Sequence, residues 1–183
     1  MAKRKAKARR PARKPARKAK KVEAIPGRYG AVTPSLTVRG AAEALAFYAK
    51  AFGAKEVGGR MAGPDGKIMH AEFRIGDRML MIQDEFPEMG SRSPQSLGGT
   101  GGSVVIYTRD TDAMFKRAID AGARSQMEPA DQFWGDRYAK LVDPFGHEWQ
   151  IATHKEDLSR KQMMERMQKM MAALPPPGGG PPT

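Results

Sequence analysis

Residues 134–154 read WGDRYAKLVDPFGHEWQIATH, and this stretch decides the fold. At its centre Asp143-Pro144-Phe145-Gly146 has the composition of a tight type I turn. Asp at the first position can bond back to the chain, Pro at the second presets φ, and Gly suits the fourth. Strand-like runs at 138–142 and 147–152 flank the turn, so a hairpin is predicted. It is expected to close a ligand-binding sheet and to supply residues to its floor.

Outward from the hairpin, one order of elements occurs twice. Residues 32–38 (VTPSLTV) read as a strand, and Arg39-Gly40 turns the chain into a helix predicted over 41–52. Its residues Ala41, Ala44, Leu45, Tyr48 and Phe52 fall on one apolar stripe, and Gly53 suits the residue that ends a helix. Strands are predicted at 55–61, 68–75 and 78–83, separated by Gly63-Pro64-Asp65-Gly66 and Gly76-Asp77. Residues 87–102 are loop by composition. A strand at 103–108 follows, then a helix capped by Asp110 or Thr111 and ended by Gly122, then a strand at 124–128 and the hairpin. Arg39 and Arg109 each end a first strand, 70 residues apart. Gly53-Ala54-Lys55 and Gly122-Ala123-Arg124 each follow a helix, 69 apart. A duplicated βαβββ unit is the economical reading, with modules at about 32–86 and 103–154 of a domain spanning 25–154.

The net charge of +12 belongs to the N-terminus rather than to this domain. Twelve of the 32 Lys and Arg fall within residues 1–21, where no acid occurs, so the rest of the chain balances 20 basic against 20 acidic residues. These are Lys3, Arg4, Lys5, Lys7, Arg9 and Arg10, then Arg13, Lys14, Arg17, Lys18, Lys20 and Lys21. Like charges repel and nothing large and apolar is available to bury, so a disordered tail is expected over 1–24. The segment resembles the Lys/Ala/Pro-rich tails of linker-histone-like proteins. Two readings stand: non-specific nucleic-acid binding by counterion release, or a solvated tail that aids solubility.

With no cysteine in the chain, disulfides, thiolate zinc sites and cysteine nucleophiles are excluded. No apolar run approaches the roughly 20 residues a membrane helix needs, and the basic N-terminus lacks the apolar region of a secretory signal. A cytoplasmic protein is expected. Beyond His154, Ser159-Arg160-Lys161-Gln162 has the form of a capping box for a helix within 155–175. Met163, Met164, Met167, Met170, Met171 and Leu174 give that helix an apolar stripe, for its own domain, a dimer partner or a ligand. Residues 176–183 are expected to be flexible.

The paired βαβββ pattern ending in DPFGHEWQIATH resembles the vicinal oxygen chelate superfamily, which includes glyoxalase I, bleomycin-resistance proteins and extradiol dioxygenases. Within it, TPSLTVRGAAEALAFYAKAFGAKEV, IMHAEFRIGDRMLMIQDE and FWGDRYAKLVDPFGHEWQIATH are similar to the PhnB-like, glyoxalase-like branch, over about residues 32–165. The resemblance implies an α+β fold of paired βαβββ modules, forming a curved mixed sheet with helices on the outer face. It further implies a homodimer and a small-molecule ligand in the sheet cavity, with lyase or isomerase chemistry if the protein is an enzyme.

Strand alternation then assigns the cavity lining. Ser35 and Thr37 face it from the first strand, His70 and Glu72 from the third, and Met81 and Gln83 from the fourth. Ser103, Val105 and Tyr107 face it in the second module, as do Glu148 and Gln150. Metal-dependent relatives place ligands at positions that fall near Thr33, Met81, Ser103 and Gln150. Only Gln150 there suits a hard divalent ion, so a metal cofactor is not expected. A set of His70 and Glu72 with Gln150 or Glu148 is the alternative metal reading, and a structural His70–Glu72 hydrogen bond is the other. Trp134 and Arg137, just before the hairpin, offer a stacking face and a fork for carboxylate or phosphate. They can equally form a plug and a turn. A nucleoid-associated adaptor, tethered to DNA by its tail, is the alternative function.

Overall fold

The computed structural model of the chain describes residues 22–173. In the first half, β1 (Ser35–Val38) leads into α1 (Ala41–Phe52), followed by β2 (Lys55–Ala62), β3 (Ile68–Ile75) and β4 (Arg78–Asp84). A connection containing the one-turn helix α2 (Pro94–Leu97) leads to the second half. There the order returns as β5 (Ser103–Tyr107), α3 (Thr111–Asp120), β6 (Arg124–Asp131), β7 (Asp136–Val142) and β8 (Glu148–His154). Each half forms its own four-stranded sheet, ordered β1-β4-β3-β2 and β5-β8-β7-β6. In each, the first strand runs parallel to the last and the other neighbours are antiparallel. The duplication read from the sequence is therefore a duplication of topology.

Both long helices of the domain start on a side chain from the last strand of their own sheet. Asp84 Oδ1 accepts from the Gly40 and Ala41 amides at 2.8 and 2.9 Å, and its Oδ2 accepts from the Ile68 amide at 2.7 Å. At the matching place, Thr153 Oγ1 accepts from the Thr111 amide at 3.1 Å. Asp110 adds a cap to α3, accepting from the Ala113 amide at 2.9 Å, whereas the cap residue of α1 is Gly40. These acceptors satisfy amides that the first turn of a helix leaves unpaired.

Alternation sends one side of six strands into the core, while the edge strands β2 and β6 bury no residue. Leu36, Val38, Ala71, Phe73, Leu80 and Ile82 pack there from the first sheet, and Ile106, Ala139, Leu141, Trp149 and Ile151 from the second. The core is continuous between the halves. The Trp149 ring lies 4.6 Å from Phe52 and 5.2 Å from Tyr48, and Tyr48 stacks on Phe73 at 5.3 Å. The Asp143 turn fastens this junction. Its Oδ1 accepts from the Phe145 and His147 amides at 2.9 Å, and its Oδ2 accepts from Tyr48 Oη and Trp149 Nε1 at 2.8 Å. A carboxylate removed from water needs such donors. Burial, with the Asp143 charge beside it, pushes the Tyr48 phenol well above its ordinary pKa.

Several boundaries differ from the sequence expectation. β1 begins at Ser35 rather than at 32, because Pro34 has no amide to offer a ladder. Residues 22–34 instead form a strap leading into the domain. β6 runs on to Asp131 across register shifts between Ser125 and Ala130, and β7 starts at Asp136, two residues early. α4 (Arg160–Ala173) opens on the predicted capping box: Ser159 Oγ accepts from the Gln162 amide at 3.3 Å, and Gln162 Oε1 accepts from the Ser159 amide at 3.0 Å. No residue of α4 is buried, and Arg166 binds it to Glu156 at 2.7 Å. No helix among the described residues is long and apolar enough to cross a membrane. The basic run 1–21 and the C-terminal residues from Leu174 on, 174–183, lie outside the described residues.

Candidate functional site

The faces turned away from the helices, here the inner faces, gather the clustered polar side chains. In the second sheet the centre is Asp136, only 4% exposed at the start of β7. Register pairs Asp136 with His154 and Tyr138 with Ala152, so these side chains share one face. Asp136 Oδ2 accepts from Tyr107 Oη at 3.0 Å and from Trp134 Nε1 at 3.1 Å. Its Oδ1 lies 2.8 Å from His154 Nδ1, and His154 Nε2 lies 3.0 Å from the exposed Asp157. Asp157 first, then Asp136, hold the imidazole above its ordinary pKa, and Asp136 raises the Tyr107 phenol likewise. The Trp134 ring meets Phe133 and Tyr138 edge-on at 5.0 and 5.4 Å, forming an aromatic wall beside the carboxylate.

Gly135 makes this arrangement fit. Its φ of +99° is a left-handed conformation that favours glycine, and a Cβ there would stand 2.5 Å from the Glu156 carbonyl oxygen. The Gly135 carbonyl accepts from the Lys155 and Glu156 amides at 2.9 and 3.0 Å, which fixes the chain after β8 against the turn before β7. Further along the same face, Lys140 stands 3.6 Å from Glu148, and Gln150 Nε2 donates to Ser103 Oγ at 2.6 Å.

On the inner face of the first sheet the centre is Glu72, 8% exposed. Its Oε1 accepts from Tyr29 Oη, from Arg28 Nη2 at 3.1 Å, and lies 3.2 Å from His70 Nε2. The Tyr29 bond, then that of His70, hold its carboxyl below the ordinary range against the cost of burial. Gln83 Nε2 donates to Thr37 Oγ1 at 3.3 Å and to Ser91 Oγ at 3.0 Å. The strap thus lies over this sheet. A cavity of about 710 Å³ opens where strap and sheets meet, walled by Gly30, Val32 and Pro34, by Met79, and by Val105 and Tyr107. A second cleft of about 520 Å³ shares Tyr107 and adds Arg109, Thr153 and His154.

Register puts Ser35, Thr37, His70, Glu72 and Gln83 on one inner face and Ser103, Val105, Tyr107, Glu148 and Gln150 on the other, and of these Val105 and Tyr107 line the larger cavity. They do not form one cluster, because each belongs to its own sheet. Arg137 is a correction. It lies on the helix-facing side and grips Asp112 of α3 with two bonds of 2.8 and 2.7 Å, where that carboxylate raises its pKa. Having odd parity with Ala139 and Leu141, it cannot join Trp134 over the cavity. Asp136 and His154 escaped the sequence reading because the strands were ended short. Extending the alternation from Tyr138 back to Asp136, and from Gln150 on to His154, would have found both. Arg28 and Tyr29 left no signal, since their contact with Glu72 spans more than 40 residues.

Of the four positions where metal-dependent relatives place ligands, Ser103 and Gln150 are bonded to each other, and Met81 offers a thioether. Among the described residues no group of three or more His, Cys, Asp or Glu is gathered as a metal would need.

Two sheets of one topology, each presenting a polar inner face, define the paired-module class to which the sequence was compared. The sequence model of the glyoxalase/bleomycin resistance protein/dioxygenase superfamily matches residues 28–151, and the chain belongs to that superfamily. Protein Mb0911c of Mycobacterium bovis is 46% identical over 125 residues, which is 67% of this chain and 82% of that protein. The X-ray structure of the Arabidopsis thaliana gene product At5g48480, at 26% identity, matches 68% of this chain and 98% of its own with a TM-score of 0.54. A PhnB protein from Bacillus cereus, 20% identical, shares the fold over 68% of this chain and 99% of its own, at a TM-score of 0.52.

Proposed function

We propose that the protein binds a small molecule against the inner face of its second sheet, without a resident metal. The observation that carries this reading is the buried Asp136 carboxylate, which collects Tyr107, Trp134 and His154 beside two clefts that share Tyr107. An aromatic wall and hydrogen-bonding groups with shifted pKa values are what a small-molecule site needs. If the ligand is turned over, lyase or isomerase chemistry is the class, and it requires a proton carrier. His154 is placed for that, its Nδ1 oriented by Asp136 and its Nε2 held only by an exposed side chain. The donors at Thr33, Met81, Ser103 and Gln150 favour metal independence. Exposed Val105, Tyr107, Met61 and Met127 leave apolar surface for a second copy of the chain, so a cytoplasmic homodimer is the assembly proposed.

Native mass spectrometry with metal analysis on protein from its own host tests this reading. The expected result is a bound small molecule, lost in Trp134→Ala and Asp136→Asn, with no stoichiometric metal. Stoichiometric divalent metal after dialysis, together with a lyase activity lost on chelation, would overturn the metal-independent part. A ligand retained by both variants would overturn the site.

One feature favours a second role. All twelve basic residues of the tail lie together, and the rest of the chain is formally neutral. A tail of this kind would tether the domain to DNA, with affinity falling at a log–log salt slope of roughly −0.9 per phosphate neutralised. Equal duplex binding by the full chain and by a chain lacking residues 1–21 would remove this role.

A further inference from the structure

Glu72 holds a carboxylate oxygen that nothing in the fold explains. Its Oε1 is crowded by Tyr29, Arg28 and His70, while Oε2 is buried without any hydrogen-bond partner. Among the described residues it is the one buried side-chain polar atom left in this condition. A buried polar atom without a partner is costly, and in native proteins it commonly marks a place that something else fills. The hydrogen bonds from Tyr29 and His70 favour the ionised form of Glu72, so what it lacks is a donor.

The strap shows what kind of donor suits the place. The Arg28 guanidinium lies 4.8 Å from the centroid of the Tyr29 ring and donates to Glu72 from a side chain 58% exposed. Carboxylate and aromatic ring together make a cation receptor. Arg28 fills it badly: it makes one bond, to the oxygen that already has partners, and leaves the other bare. The strap residues that follow Tyr29, namely Gly30, Val32 and Pro34, wall the cavity of about 710 Å³.

We propose that Glu72 and Tyr29 form a docking point for the positively charged nitrogen of a small organic cation, which displaces Arg28 and bonds the bare Oε2. This site lies on the first sheet and stands apart from the Asp136 cluster of the second. A planar amidinium or guanidinium suits it best, since two parallel N–H groups can span both carboxylate oxygens. Charge stays balanced in the exchange, because one cation leaves Glu72 as another arrives.

Benzamidine and its neutral isostere benzamide are the probes, titrated calorimetrically at neutral pH and low salt into the full chain. Benzamidine should bind at least about tenfold more tightly than benzamide, the difference a charged hydrogen-bonded pair supplies. Glu72→Gln, which keeps the shape and removes the charge, should lose about tenfold for benzamidine alone. Arg28→Ala should gain several-fold, because the resident competitor is gone. Equal binding of the two probes, unchanged affinity in Glu72→Gln, or weaker binding in Arg28→Ala would each overturn the inference. Arg28→Ala changes an exposed side chain, so it decides the matter even if Glu72→Gln folds poorly. Benzamidine binding lost in Asp136→Asn but kept in Glu72→Gln would place the cation on the second sheet, sinking this inference and leaving the proposed function intact.

Discussion

The two modules share a topology and differ in how they spend their polar groups. In the first, a tripled acceptor, Asp84, holds both the start of α1 and the start of β3, and the inner face is covered by the strap. In the second, Thr153 does the lighter part of that work, Asp110 shares it, and the inner face gathers Asp136, Tyr107 and His154 next to an open cleft. The helix-facing sides are alike in being apolar, since both must fill one core. The inner faces, free of that constraint, differ. The difference teaches where in a duplicated fold to look for function: at positions where matched residues have parted company.

The most severe way to break the comparison is at the helix starts. Asp84→Ala leaves three amides without their acceptor, two of them buried, and should cost about 3 kcal/mol. Thr153→Ala leaves one amide, that of Thr111, without its acceptor and keeps the Asp110 cap on the Ala113 amide, so about 1 kcal/mol is expected. Urea denaturation of both variants measures the difference. Equal losses would mean that the two helix starts are equivalent after all.

The turns before β3 and β7 sharpen it next. Gly66 and Gly135 are matched, 69 residues apart, with φ of +80° and +99°. A Cβ at Gly66 meets nothing within 4 Å, whereas one at Gly135 strikes the Glu156 backbone at 2.5 Å. Gly66→Ala should therefore cost about 1 kcal/mol, from backbone conformation alone. Gly135→Ala should cost about 2–3 kcal/mol, and it should also displace Trp134 and Asp136. Thermal melts compare the stabilities, and tryptophan fluorescence should shift only in Gly135→Ala. A silent Gly135→Ala would show that the contact with Glu156 is easily relieved.

Much of this was legible in the sequence. The period-2 alternation around Ala71-Glu72-Phe73 and Trp149-Gln150-Ile151, the helix stripe ending at Gly53, and the 143–146 turn were readable because local chemistry determines them. The Asp143 turn even behaves as its composition implies, with the carboxylate bonding back to the Phe145 and His147 amides. What it does beyond the turn, accepting from Tyr48 95 residues away, depends on how two modules meet, and no local pattern encodes that. The site was legible only in part for the same reason. Alternation put Tyr107, Glu72 and Gln150 on inner faces, but Arg137 was placed by its neighbours in the sequence rather than by its strand parity. The role of the strap rests wholly on long-range contacts, and its composition gives no hint of it.

The smallest expected effect concerns a matched pair whose charges respond to pH in opposite directions. Glu85 and His154 each follow the helix-capping residue at the end of the last strand, 69 positions apart. Ser96, then Arg39 and Ser93, hold the Glu85 carboxyl well below the ordinary carboxylate range. Its folded pKa lies below the unfolded value of about 4.3, so its stabilisation is complete above that value and is lost as pH falls toward the folded pKa. Asp157 and Asp136 raise His154, so its stabilisation is complete below about pH 6.5 and is lost as pH rises through the folded value. Melting temperatures followed from pH 3 to 9 should show both limbs. Glu85→Gln should make the acid limb shallower without touching the other, Glu72 and other lowered carboxylates supplying the remainder, and His154→Gln should flatten the limb above neutrality alone. His154 is 53% exposed, so its limb should be the shallower and should shrink further in salt. If Asp157→Asn leaves the upper limb unchanged, the exposed partner contributes nothing and Asp136 alone sets the imidazole's charge.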